Sequence, residues 1–434
     1  MIKEGGMKID LLYGKKGLSL DIPEKNLDKV IRKKKMPKID NPEEKIKEAL
    51  SHPIGTPPLR EIAKGKKKAT IVISDITRPV PNKTLLPPLL EELKSAGIEE
   101  DKITILIATG IHRPNIGDEL IELIGEELAR RYRVINHDAM DTSDMKYVGK
   151  TGNIPIYINK YFLDADLKIL TGLIEPHFMA GFSGGRKSIL PGISSFETVK
   201  YYHSPYILES PYAKNLTLEN NPFHEGATQI AKITGVDFIL NVVIDEERNI
   251  GGIFAGDLEK AYEKGVEFAR AYSRIEIEKR VDLVITTSAG YPLDKTYYQT
   301  VKGLVGVLEI LKPKGMIIIA SECSEGLGSK YFRDVLIELK EIADYDSFMK
   351  RLYNMERFIP DQWEVEELVK VLKVTDKIYM HSSLSEEDQT LTFTHKIESL
   401  EDGLRIARER FGEDVRAIVI PEGPYVIPVV KEEG

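Results

Sequence analysis

From Lys68 onward the chain alternates short apolar runs with amphipathic stretches. The runs 69–73 (ATIVI), 103–108 (ITILIA), 167–173 (LKILTGL), 237–244, 281–286 (VDLVIT) and 315–320 (GMIIIA) are short and mostly rich in β-branched residues. Runs of this kind predict strands buried on both faces. Between many of them lie segments of helical period, such as 85–95 and 116–131. Alternating strands and helices predict an α/β fold with largely parallel sheets. For 434 residues, at roughly 150 residues per domain, two domains are expected. The helical stretch 258–279, followed by a strand at Val281, is the predicted hinge between them. A larger domain would span 1–275 and a smaller one 280–390, with 395–434, a helix and then a strand, rejoining the first.

In open α/β sheets, ligands gather beyond the carboxyl ends of the strands. Beyond residue 73 the sequence is SDITRPVPN, with Asp75, Thr77 and Arg78; beyond 108 it is TGIHRPN, with His112. Beyond 173 comes EPHFMAGFSGGRKSILPGISSFETVKYYH (175–203), and beyond 286 comes TSAGYPLDKTYYQTVKG, with Gln299 and Lys302. Four strands are thus expected to direct polar residues at one region.

The stretch 175–203 holds a histidine, a glycine-rich turn, a lysine and a second histidine. Glycines 181, 184 and 185 permit close backbone approach, and a glycine-rich turn after a strand can aim amide N–H groups at an anion. Residues 181–188 nearly meet the G-x-x-x-x-G-K-[ST] pattern of P-loop NTPases. Arg186 stands where that pattern requires glycine, and Pro191 and Gly192 interrupt the helix that should follow. The NTPase reading is rejected, which leaves Lys187 flanked by His177 and His203.

A net charge of -8 supplies no basic field for nucleic acid, and the lysine runs at 33–35 and 66–68 read as solvated faces. Cys323 is the only cysteine, so neither an internal disulfide nor an all-cysteine metal site is available. No basic segment followed by an apolar core opens the chain, and no apolar run reaches the roughly twenty residues needed to span a bilayer. A cytoplasmic protein without membrane contact is expected. His52, His137, His224, His381 and His395 read as ordinary structural or loop histidines, while their position after strands sets His112, His177 and His203 apart.

Taken together the candidate residues resemble the nickel-dependent lactate racemase family at four places: SDITRP (74–79), TGIHRP (109–114), EPHFMAGFSGGRKSILPGIS (175–194) with His203, and YQTVKG (298–303). The resemblance implies two α/β domains with the active site in the cleft between them. It also implies a 2-hydroxy acid racemase or epimerase, lactate being the favoured substrate, that works by hydride transfer through a 2-keto acid. The implied cofactor is the nickel-pincer nucleotide, Ni(II)-pyridinium-3,5-bisthiocarboxylic acid mononucleotide, supplied by cofactor-building enzymes. By the same resemblance Lys187 is its covalent tether and His203 the nickel ligand. Asp75, Ile76, Thr77 and Arg78, with Gly184, Gly185, Tyr298 and Trp363, surround the cofactor. His112 and His177 form the acid/base pair, and Arg78, Gln299 and Lys302 contact substrate. Two alternatives stay open: the same cofactor acting on a larger hydroxy acid (malate, a sugar acid, an aryl lactate), and a non-catalytic nickel-nucleotide binding protein.

The chemistry suits these residue types. The Cα proton of a hydroxy acid beside a carboxylate is very weakly acidic, and moving it as hydride avoids a carbanion. Histidine titrates near neutrality and can serve a hydroxyl within hydrogen-bond reach. Neutral imidazole suits nickel(II), and arginine can hold a carboxylate bidentately.

Overall fold

The computed structural model describes residues 6–152 and 154–431. They divide into two compact units, one formed by 35–203 and 207–272, the other by the chain up to Lys34, 204–206 and the chain from Ser273 on.

The first unit is built on a six-stranded sheet in the order Ile250–Gly256, Phe238–Ile244, Leu167–Leu173, Ala69–Ser74, Ile103–Ala108, Arg133–Asn136. All neighbours run parallel except the antiparallel edge strand Ile250–Gly256. The central strands are buried on both faces, as their largely apolar, Ile-, Val- and Leu-rich content requires. Helix Asn82–Ser95 sets Leu85, Leu86, Leu89 and Leu93 into the core of this sheet. From Ala69–Ser74 the chain winds outward through Ile103–Ala108 and Arg133–Asn136, then returns to the other side of Ala69–Ser74 with Leu167–Leu173. The strand order therefore reverses between Ala69–Ser74 and Leu167–Leu173, and the crevice of such a sheet opens there.

The helix expected over 116–131 is two shorter ones, Asp118–Ile124 and Glu126–Arg131. Gly125 between them has φ +85°, which ends the first helix.

The second unit has a fully parallel sheet in the order His395–Lys396, Lys377–His381, Leu311–Ala320, Val281–Thr287, Ala417–Ile420, Leu27–Val30. Three expectations are corrected here. The C-terminal segment does not rejoin the first sheet, because Ala417–Ile420, buried at all four positions, finds its hydrogen-bond partners in Val281–Thr287 and Leu27–Val30. The N-terminal segment is drawn into the same sheet, where Asn26 donates to the Glu413 and Val415 carbonyls at 2.8 Å each and accepts from Arg408. The expected helix 258–279 ends at Ser273, and Arg274–Ile277 pairs in parallel with Ile427–Val430. Because Val281–Thr287 belongs to this second sheet, three of the four strands expected to share one region lie in one sheet and the fourth lies in the other.

Candidate active site

The residues that follow the reversal point of the first sheet form a connected polar cluster. Asp75 leaves strand Ala69–Ser74 buried, at 4% exposure, and its Oδ2 lies 2.8 Å from His112 Nδ1. Its Oδ1 accepts the Thr77 hydroxyl at 2.7 Å. Burial by itself would raise this carboxyl, but His112, Thr77 and Arg78 outweigh it and hold Asp75 below the usual aspartate range. An ionised Asp75 accepts a proton-bearing Nδ1, so neutral His112 keeps its lone pair on Nε2. Asn115 Oδ1 accepts the Ile76 amide at 3.1 Å, which ties the SDITRP loop to the TGIHRP loop. Arg78 Nη1 stands 3.6 Å from Glu175 Oε1.

Past Leu167–Leu173 the chain makes a tight antiparallel turn in which His177 faces Gly181. His177 Nδ1 accepts the amides of Met179 (3.2 Å) and Ala180 (3.3 Å), and Phe178 stacks on the ring at 5.0 Å. Gly184 and Gly185 both have positive φ. A Cβ on Gly184 would come 2.8 Å from Asn241 Oδ1, and one on Gly185 would come 2.8 Å from Tyr262 Cδ2. Their missing side chains thus let the turn pack against protein; the Gly185 amide also donates to Asn241 Oδ1 at 2.7 Å. The short 3-10 helix Gly185–Ser188 then presents Lys187, whose Nζ lies 4.5 Å from the centroid of the Phe223 ring.

His203 ends helix Phe196–Tyr202 and meets the same Phe223 ring edge-on at 5.1 Å. Its Nδ1 lies 3.0 Å from the Val199 carbonyl. Burial first, then the Lys187 cation and His112, push His203 down to about 3, so the ring is neutral. With Nδ1–H donated to Val199, the lone pair sits on Nε2. In the second unit, helix Tyr297–Val305 carries Tyr298, Gln299 and Lys302. Lys302 Nζ donates to Gln299 Oε1, and Trp363 Nε1 donates to the Tyr298 hydroxyl at 2.9 Å. The structure therefore joins Asp75 to His112, places Lys187 and His203 on one aromatic ring, and pairs Gln299 with Lys302 and Tyr298 with Trp363.

Sequence reasoning missed Phe223, Asn241, Glu175 and His137. The first two are distant in sequence and carry no motif, while Glu175 only opens the stretch 175–203 and carries no recognisable site pattern there. His137, read as ordinary, is 2% exposed and joins three loops: its Nε2 lies 2.9 Å from the Ser194 carbonyl, its Nδ1 lies 3.2 Å from Asn159 Nδ2, and its carbonyl accepts the Thr109 hydroxyl. Burial depresses it to about 4. A histidine whose folded value lies below its unfolded one (about 6.5) stabilises the fold fully above the unfolded value and loses that contribution as pH falls toward the folded one. Between about pH 6.5 and 4, unfolding free energy should drop by about 3 kcal/mol from this residue. Urea titrations of wild type and His137→Gln across that range should diverge by this amount, and parallel curves would remove the assignment.

A carboxylate-held imidazole, a second imidazole, an arginine and a lysine gathered where a doubly wound sheet reverses define a class: an α/β enzyme that moves protons on a small anionic substrate. Comparison with known proteins narrows the class. Residues 13–215 match the family model "Lactate racemase N-terminal domain", and residues 277–428 match "Lactate racemase C-terminal domain". The chain is 39% identical over 424 residues to the lactate racemase of Thermoanaerobacterium thermosaccharolyticum, covering 96% of this chain and 98% of that protein. It is 36% identical over 389 residues to the lactate racemase of Lactiplantibacillus plantarum, covering 89% and 90%. The solved apoprotein of the Thermoanaerobacterium enzyme superposes with a TM-score of 0.90 at 38% identity, over 98% of this chain and 100% of that one. A Thermotoga maritima protein shares the fold at a TM-score of 0.69 and 22% identity, over 91% of this chain and all of that one. The chain belongs to the lactate racemase family. No helix among the described residues is long and apolar enough to cross a membrane.

Proposed function

We infer that the protein interconverts the enantiomers of lactate. The observation that carries the reading is the Asp75–His112 pair, which in a chain of this family makes Nε2 of His112 a proton acceptor for a substrate hydroxyl. Arg78 offers a guanidinium for the carboxylate; Gln299 and Lys302, which the family resemblance names as substrate contacts, are hydrogen-bonded to each other within the second unit. His177 would serve the oxygen on the opposite side, so that both hands of the substrate meet an imidazole.

The residues fit the nickel-pincer nucleotide. Neutral His203, with Nδ1 engaged by a carbonyl, has the tautomer of a metal ligand. Among the described residues no group of three or more His, Cys, Asp or Glu could hold a metal ion, and His203 is the one side chain assigned to nickel here. Lys187 would carry the covalent link, and converting its amine to an amide would remove the cation that faces His203. When bound, this cofactor supplies a hydride acceptor and donor. The chain's own residues bind the carboxylate, orient the hydroxyl and take its proton. Enzymes that build the cofactor are the implied partners for loading.

Protein produced together with those enzymes should racemise lactate without added NAD and carry stoichiometric nickel that His203→Ala loses. Chiral chromatography and metal analysis check both. Activity strictly dependent on NAD would indicate an ordinary dehydrogenase instead.

A further inference from the structure

The cation beside Lys187 has no role in the steps above. Arg186 is 1% exposed, and no carboxylate pairs with it among the described residues. Its Nη1 donates to the Gly184 carbonyl at 3.2 Å and to the Tyr262 hydroxyl, its Nη2 donates to the Ala180 carbonyl at 2.8 Å, and the guanidinium lies 4.5 Å from the Tyr262 ring centroid. A buried guanidinium without a counter-charge is costly, and a well-packed apolar side chain would be the cheaper filler. What the fork achieves, and an apolar group would not, is to bolt two turns together. Ala180 belongs to the turn that carries His177; Gly184 opens the turn that carries Lys187.

The first of those turns governs the chemistry of His177. Its Nδ1 accepts two backbone amides, and a nitrogen that accepts carries no hydrogen. In neutral His177 the proton therefore sits on Nε2, whereas Asp75 draws the proton of neutral His112 to Nδ1. We propose that Arg186 is a positioning residue: by locking the 177–182 turn it fixes His177 in the Nε2–H tautomer, opposite to the tautomer that Asp75 imposes on His112. Its catalytic meaning rests on the racemase reading, while the tautomers themselves do not.

The proton balance follows. The substrate hydroxyl proton passes to the Nε2 lone pair of His112 and on to solvent, while the product hydroxyl on the opposite face takes the Nε2 proton of His177, whose Nδ1 takes one from solvent, so that one proton leaves and one enters per inversion. Delivering that proton outright would leave an imidazolate unless Nδ1 were first protonated. A proton on Nδ1 requires the Met179 and Ala180 amides to move off it. The two imidazoles are therefore not interchangeable, and the half of the cycle that uses His177 as a full acid or base must loosen the turn that Arg186 holds.

The test is the nitrogen NMR signature of the two rings, read on the chain without cofactor and assigned through His112→Gln and His177→Gln. Wild type should show His177 protonated at Nε2 and bare at Nδ1, with His112 the reverse. Arg186→Met should turn His177 into a tautomeric mixture and leave His112 unchanged. In loaded enzyme kcat should change with KM little altered, because the turn that carries His177 serves the proton-transfer step rather than substrate binding. Arg186→Lys, which keeps the charge but lacks the fork, should show the same mixture if the methionine variant does not fold. A protonated Nδ1 on wild-type His177 overturns the proposal, as does an Arg186 variant that loses activity with the His177 tautomer intact. An inactive loaded wild type with the expected tautomers would count against the racemase reading alone.

Discussion

His112→Ala should lower kcat for lactate racemisation by about a thousandfold, the middle of the range for a general acid/base group, and leave the fold and the Lys187 chemistry in place. The side chain of His112 is 43% exposed and its ring is held through Asp75, so truncation opens no cavity in the core. What disappears is the Nε2 lone pair proposed to accept the hydroxyl proton. Asp75→Asn should come close to the same loss for a different reason. An amide can present N–H to Nδ1 and so draw the lone pair to the wrong nitrogen, with the ring still in place. His177→Ala should likewise abolish net inversion while nickel is retained, since His177 is not among the residues assigned to hold it. Chiral analysis of product from each pure enantiomer measures all three, and retained inversion in His112→Ala or His177→Ala would refute the paired-imidazole mechanism.

Lys187→Ala should give a loaded preparation that lacks both racemase activity and the nucleotide-sized mass addition on the tryptic peptide containing position 187. A lysine that merely neutralised a phosphate would act as a point charge and leave the denatured chain at its unmodified mass. Lys187 lies over the Phe223 ring, and its cation helps to hold His203 deprotonated. Lys187→Arg separates the two roles, because arginine keeps the charge but is a poor acyl acceptor. It should behave as the alanine variant does. A fully active Lys187→Arg, or an unmodified peptide from fully active wild type, would end the covalent assignment.

Several of these features were legible in the sequence. The strands at 69–74, 103–108 and 167–173 were marked by short, predominantly apolar runs, because strands covered on both faces have no fully polar side to impose an alternation. Asp75, His112 and Lys187 were legible as residues just past strand ends. Their pairing was not: the hydrogen bond from His112 to Asp75 spans 37 positions and depends on which strands are neighbours. Gly184 and Gly185 were read as room for a ligand, and the structure gives them another cause, since their missing side chains admit Asn241 and Tyr262. Arg186 registered only as a mismatch to a phosphate-loop pattern. Nothing in a GGRK tetrapeptide says which way an arginine turns, and here it turns inward.

The sequence by itself determined the α/β class, most of the strands and the roster of reactive side chains, because apolar periodicity and strand-end position are local properties of the chain. Only the tertiary structure decided where the termini go. Ala417–Ile420 and Leu27–Val30 are short runs that could dock on either sheet by composition, and hydrogen bonding to Val281–Thr287, with Asn26 bridging to Glu413 and Val415, places them in the second. Only the tertiary structure decided the proton positions on the histidines as well. A ring's tautomer is set by whichever acceptor or donor the fold brings to Nδ1: a carboxylate for His112, two amides for His177 and a carbonyl for His203.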